Sequence, residues 1–169
     1  MNINEAIKNY PNCLYYNKQW HLLAITGDID SIVNIGTDFA RSEMMEYAIT
    51  CWQYVIDIGK GTSEAYSNLG VSYYYGNGIQ QDYKKAVQYY QKAAAKGHPF
   101  GMYNLAVASE YGNGTPRNLG KAVKYYRMAA EKGINQAIDA LIRLGLYDEI
   151  QGFAFYARNL EDDSFTPFK

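Results

Sequence analysis

Apolar residues along this chain fall on helical stripes broken by short polar or glycine-bearing stretches. The pattern predicts a short helix over 2–10, where Asn2 and Glu5 have capping-box spacing and Pro11 ends the run. A second helix over 14–26 is expected to carry Trp20, Leu22 and Leu23 on its apolar side and to stop at Gly27. A third, over 30–40, follows a cap at Asp28 or Asp30 and turns Val33, Ile35, Gly36 and Phe39 inward. Ser42 is expected to cap a fourth, to about Ile58, carrying Ala48, Trp52 and Val55. Matched pairs follow, 64–75 with 82–96 and 100–111 with 118–132. A last pair is expected over 135–146 and 148–160. Asp148 and Gln151 would cap its second helix, and Ile150, Phe153, Ala154, Ala157 and Leu160 form the stripe. Residues 161–169 are expected to be an untethered tail.

The matched pairs are a repeat. Shifted by 36 residues, 64–97 agrees with 100–133 at 16 of 34 positions. Tyr75-Gly76-Asn77-Gly78 returns as Tyr111-Gly112-Asn113-Gly114, and Lys85-Ala86-Val87 as Lys121-Ala122-Val123. Such a period is the signature of a repeat array. Each second helix also has a large aromatic seven residues before its terminal glycine: Trp20 and Gly27, Trp52 and Gly59, Tyr90 and Gly97, Tyr126 and Gly133. By this spacing 28–59 is the same helix pair with a loop four residues shorter. The fold expected is all-α, an α-solenoid of about five antiparallel helix pairs. One domain over 1–160 divides into 1–27, 28–61, 62–97, 98–133 and 134–160, with atypical end pairs.

The residues Asn68-Leu69-Gly70, Tyr73, Gly76-Asn77-Gly78, Asp82, Lys85-Ala86, Tyr89-Tyr90, Ala93-Ala94 and Gly97 resemble the Sel1-like repeat, a branch of the tetratricopeptide-like solenoids. The motif returns at 104–133, with Ala106, Ser109 and Asn118 replacing its glycine, tyrosine and aspartate. The resemblance implies a right-handed superhelix with a concave face built from first helices. It also implies an adaptor that binds proteins or peptides, not an enzyme.

Composition narrows the rest. Net charge is −1, so no global field calls for nucleic acid or an anionic membrane. The charge is uneven: −3 over 1–60, +5 over 61–133 and −3 over 134–169. Cys13 and Cys51 read as free thiols. With no signal peptide evident at the start and no run of membrane-spanning length, a cytoplasmic location is expected. His21 and His98 form no catalytic or metal-binding spacing with the cysteines, so neither cofactor nor metal is expected. Gly59-Lys60-Gly61-Thr62 lacks the earlier glycine and the preceding strand of a phosphate loop.

What remains is a binding surface. Helical register places Glu64, Ser67, Val71, Tyr74 and Tyr75 on the concave face, followed by Phe100, Tyr103, Val107, Glu110 and Tyr111. Asp30, Val33, Thr37 and Arg41 extend the face to one side, and Gln136, Asp139, Arg143 and Tyr147 to the other. Tyrosine offers large contact area with a hydroxyl at its tip, which suits a protein interface. Asn34, Asn68 and Asn104 recur at one register, either to grip a ligand backbone or to tie adjacent helices. The expected partner is a protein or peptide; in a narrower form it is a cognate toxin, with this chain its immunity protein or inhibitor. The alternatives are an acidic partner or nucleic acid on the basic convex side, or an enzyme not recognisable from its residues. The tail, with Phe165 and Phe168 beside Asp162 and Asp163, could fold back into a groove or engage a partner.

Overall fold

The computed structural model describes residues 1–146, and among them nine α-helices and no strand. Helix α1 (Ile3–Asn9), a 3-10 turn (Tyr10–Asn12) and α2 (Lys18–Ile25) form the N-terminal end. Three helix pairs follow: α3 (Ile29–Arg41) with α4 (Met45–Asp57), α5 (Ser63–Tyr75) with α6 (Tyr83–Ala95), and α7 (Pro99–Tyr111) with α8 (Leu119–Ala130). Helix α9 (Asn135–Arg143) follows and packs on α8. Each second helix also packs on the first helix of the next unit, which strings the pairs into a solenoid. The connection within α3–α4 is 42–44, against 76–82 and 112–118 in the next two pairs, so the shorter loop of the first pair is real.

Local chemistry sets the helix ends. Asn2, Asn17, Asp28, Thr62, Asp82 and Asn118 each accept a backbone N–H from the first turn of the helix they precede. Asn118 therefore caps as Asp82 does, despite the substitution. Gly76 and Gly112 close α5 and α7 in the left-handed region, at φ +74° and +78°. Leu69 and Leu105 are fully buried, Tyr126 shares the core of Leu105, and Tyr90 packs on Gly70, where an added Cβ would meet its ring at 2.5 Å.

The Gly-Asn-Gly turns join the units. A Cβ on Gly78 would lie 2.6 Å from the Met45 side chain, at the start of α4. On Gly114 it would lie 2.1 Å from the Tyr83 carbonyl oxygen, at the start of α6. Each turn thus sits on the second helix of the preceding unit. Beside the second contact, Asn113 donates its side-chain amide to the Tyr74 hydroxyl at 2.7 Å.

The N-terminal end departs from expectation. Helix α2 starts at Lys18, because Asn17 accepts both the Gln19 and Trp20 N–H groups. Its inward residues are Ala24 and the half-buried Trp20; Leu22 and Leu23 face solvent. Ser42 ends α3 and does not cap α4, which begins after Met44 without a side-chain cap. Tyr10 anchors this end: its hydroxyl donates to the buried Asp38 carboxylate at 2.6 Å and accepts the Asn17 N–H at 2.9 Å. Burial first, then Asp38, raise the phenol well above its ordinary pKa. Helix α9 ends at Arg143, with Gly145 beyond it at φ +76°. The helix expected over 148–160 and the tail lie outside the described residues.

His98 caps α7, its Nδ1 accepting the Gly101 N–H at 3.1 Å. That bond needs an unprotonated Nδ1. Burial lowers the imidazole pKa below 6.5, against a smaller opposing pull from Glu64. A depressed value means that the contribution is complete above about pH 6.5 and lost as pH falls through the native value. We expect the urea midpoint to drop between pH 7 and 5 by the equivalent of about 1 kcal/mol, the usual worth of a cap. His98→Asn should keep the cap and flatten that part of the profile. An equal decline in both proteins would assign the loss to other groups.

Candidate partner-binding face

The first helices α3, α5, α7 and α9 share one face, and on it the repeat register brings equivalent residues into rows. Tyr75 and Tyr111 end α5 and α7 and are 65% and 59% exposed; Phe100, in the first turn of α7, is 49% exposed. These three large rings are the accessible aromatic surface of the face. Val71, Val107 and Tyr103 are half-buried between them.

Two recesses open on this face. One, of about 330 Å³, lies between α3 and α5 and is lined by Thr37, Arg41, Trp52, Asn68, Val71 and Asn77. The other, of about 380 Å³, lies between α7 and α9, lined by Tyr103, Val107, Tyr111, Gln136, Asp139 and Arg143. Residues expected at the groove therefore do converge, in two places. Asn68 also donates to the Thr37 hydroxyl at 3.4 Å, a long tie between α5 and α3. Asn104, at the same register, is half-buried.

Several expected groove residues serve the fold instead. Ser67 and Val33 are buried. Tyr74 is half-buried, its ring 5.0 Å from those of Tyr75 and Tyr83 and its hydroxyl held by Asn113. Glu110 is buried, and two side chains make three contacts with its carboxylate. Arg143 contacts it through Nη1 at 2.7 Å and Nη2 at 2.9 Å, and Tyr126 donates to it at 2.7 Å. The Arg143 hydrogen bond is the main reason that this carboxyl stays below its ordinary pKa; the Tyr126 bond adds to it, and burial opposes both. Arg117 secures the Glu110 backbone carbonyl at 3.0 Å. The pairing was hidden in sequence because its members lie 33 residues apart. Register alone could have flagged it, since Glu110 and Arg143 sit almost one repeat period apart on facing first helices. Tyr147 lies outside the described residues.

The second helices present a different surface. Lys85 lies over the Tyr73 ring at 5.3 Å, and Lys92 over both Tyr66 and Tyr89 at 5.6 Å. Among the described residues, no group of histidine, cysteine and acidic side chains could hold a metal ion. No described helix is long and apolar enough to cross a membrane.

Residues 63–98 and 99–134 match the model of the Sel1 repeat. Residues 63–134 are two Sel1 repeats. Solved Sel1 structures extend the likeness beyond those units. A protective antigen present in uropathogenic Escherichia coli strains, displaying an SLR fold, is 30% identical with a TM-score of 0.63. That match covers 71% of this chain and 26% of the antigen, so the chain spans about a quarter of it. A Sel1 repeat protein from Oxalobacter formigenes is 23% identical with a TM-score of 0.64, over 74% of this chain and 96% of that one. Cysteine rich protein B of Helicobacter pylori is 22% identical with a TM-score of 0.52, over 82% and 94%. At those identities the last two establish the fold alone. No curated protein matches the chain. Sel1 repeats are commonly protein–protein interaction modules, and proteins of this fold are generally non-enzymatic scaffolds.

Proposed function

We propose that the face formed by α3, α5, α7 and α9 captures an extended segment of a partner protein in the cytoplasm, and that the chain acts as an adaptor or inhibitor through capture alone. A cognate toxin held inactive in this way is the narrower form of the proposal. The observation that carries the reading is the exposure of Tyr75, Phe100 and Tyr111. The fold gains little from leaving three large rings in water, whereas an interface gains area from them at a low entropy cost. The recesses at either side of these rings can take side chains of the bound segment.

The test is a binding measurement with a partner isolated from the native cell. Tyr75→Ala and Tyr111→Ala together should weaken the complex by at least about a hundredfold, the range of a hot-spot pair. Both rings are exposed, so the thermal midpoint should stay within about 2 °C of the parent. Unchanged affinity with an unchanged midpoint would remove this face from the interaction.

A further inference from the structure

The second helices carry a separate signal. Helices α6 and α8 bear Lys84, Lys85, Lys92, Lys121 and Lys124 and no acidic residue, whereas the neighbouring α4 bears Glu46 and Asp57 and no base. No ion pair neutralises these five lysines among the described residues.

Two of them are held in place. Lys85 and Lys92 are exposed, yet each ammonium rests on tyrosine rings that are themselves packed. Tyr73 stacks on Tyr89 at 5.5 Å and 10°, and the Tyr89 hydroxyl reaches Gln53 of α4 at 3.5 Å. A lysine ordinarily loses much rotamer freedom on forming a contact; here part of that loss has already occurred on folding. Seven residues along α6 set the two ammonium groups roughly 10 Å apart.

We propose that the lysine-bearing face of α6 and α8 is a second docking surface, for an acidic protein segment in the polyproline II form whose carboxylates recur every third residue. In the polyproline II form, with three residues per turn and about 3.1 Å per residue, that spacing returns a carboxylate to the same side roughly every 9 Å and so meets Lys85 and Lys92 in turn. Lys121, one repeat on from Lys85, holds the matching register on α8. A nucleic acid fits the surface less well. Its phosphates form a dense, unbroken line of charge that could not skip Asp57 of α4, which is bonded to the same Gln53 that the Tyr89 hydroxyl reaches. The inference does not depend on Tyr75, Phe100 and Tyr111, since the rings beneath the lysines are Tyr66 and Tyr73 of α5 and Tyr89 of α6.

The test uses fluorescence anisotropy with the full chain and three probes. One is a twelve-residue peptide with glutamate at every third position, the second has the same composition with its glutamates in one block, and the third is a short DNA duplex. The spaced peptide should bind about tenfold more tightly than either of the others at physiological salt, and weaken as salt rises. Lys85→Glu with Lys92→Glu should weaken it by about thirtyfold, two exposed charge contacts being reversed. Lys8→Glu with Lys18→Glu, the same charge change on α1 and α2, should leave it unaltered. Circular dichroism confirms that each variant is folded. Equal binding of both peptides, tighter binding of the duplex, equal loss in the α1–α2 variant, or no binding of any probe would each overturn the proposal.

Discussion

Gly114→Ala is expected to lower folding stability by about 4 kcal/mol, while Gly133→Ala lowers it by about 1 kcal/mol. The two glycines have nearly the same backbone, φ +74° and +85°. A Cβ at either therefore meets the intrinsic cost of a left-handed alanine, about 1–2 kcal/mol. They differ in what surrounds them. Nothing lies within 4 Å of a Cβ on Gly133, whereas one on Gly114 would meet the Tyr83 carbonyl oxygen at 2.1 Å and carbon at 2.3 Å. Those are backbone atoms at the start of α6, and no side-chain rotation relieves them. The turn must lift away and strain its Asn113–Tyr74 bond, adding roughly 1–3 kcal/mol as overpacking does. Urea denaturation of the two variants measures the difference directly. Equal losses would mean that the turn does not bear on the preceding unit.

Removing Arg143 is the second large effect. Arg143→Ala should cost roughly 2 kcal/mol at pH 7, below the 3–5 kcal/mol of a fully buried pair because half of the arginine side chain is in water. The loss comes mainly from leaving the buried Glu110 carboxylate with only the Tyr126 hydroxyl on it. The pH dependence gives a sharper check. In the parent, Glu110 has a depressed pKa, so its contribution is complete above about 4.5 and disappears as pH falls through the lower native value. In the variant the largest depressing partner is gone, so the pKa moves up from its native value, with burial opposed only by the Tyr126 bond and the Arg117 charge. The difference in stability between the two proteins should therefore shrink on acidification, because protonation relieves the buried charge in the variant and removes the bond in the parent. A difference constant from pH 7 to 3 would place the cost in packing and not in charge.

The two repeats were legible in the sequence because residues that define their shape recur: the left-handed glycines Gly76 and Gly112, the buried Leu69 and Leu105, and the alanines on the helices of Tyr90 and Tyr126. The solenoid followed from them, as did the shorter loop between α3 and α4. The N-terminal end was less legible because hydrophobic identity does not decide burial on a short helix. In α2 the inward positions go to Trp20 and Ala24, and Leu22 and Leu23 project outward. The candidate face was legible as a set of positions and not as a set of roles. Register placed Tyr74 and Tyr75 together, and could not say that one is held by Asn113 while the other stands in water. It likewise gave Glu110 a position without revealing that Tyr126 and Arg143 converge on it.

The seating of each Gly-Asn-Gly turn also has a direction. Gly78 rests on the start of α4 and Gly114 on the start of α6, so each turn uses a surface encoded earlier in the chain. Translation delivers segments in the same order, N-terminal first. When Gly114 leaves the ribosome, the helix that receives it has already been made and can already be folded. The array can thus lengthen one unit at a time onto a finished template, with no turn left waiting for a helix still to be synthesised.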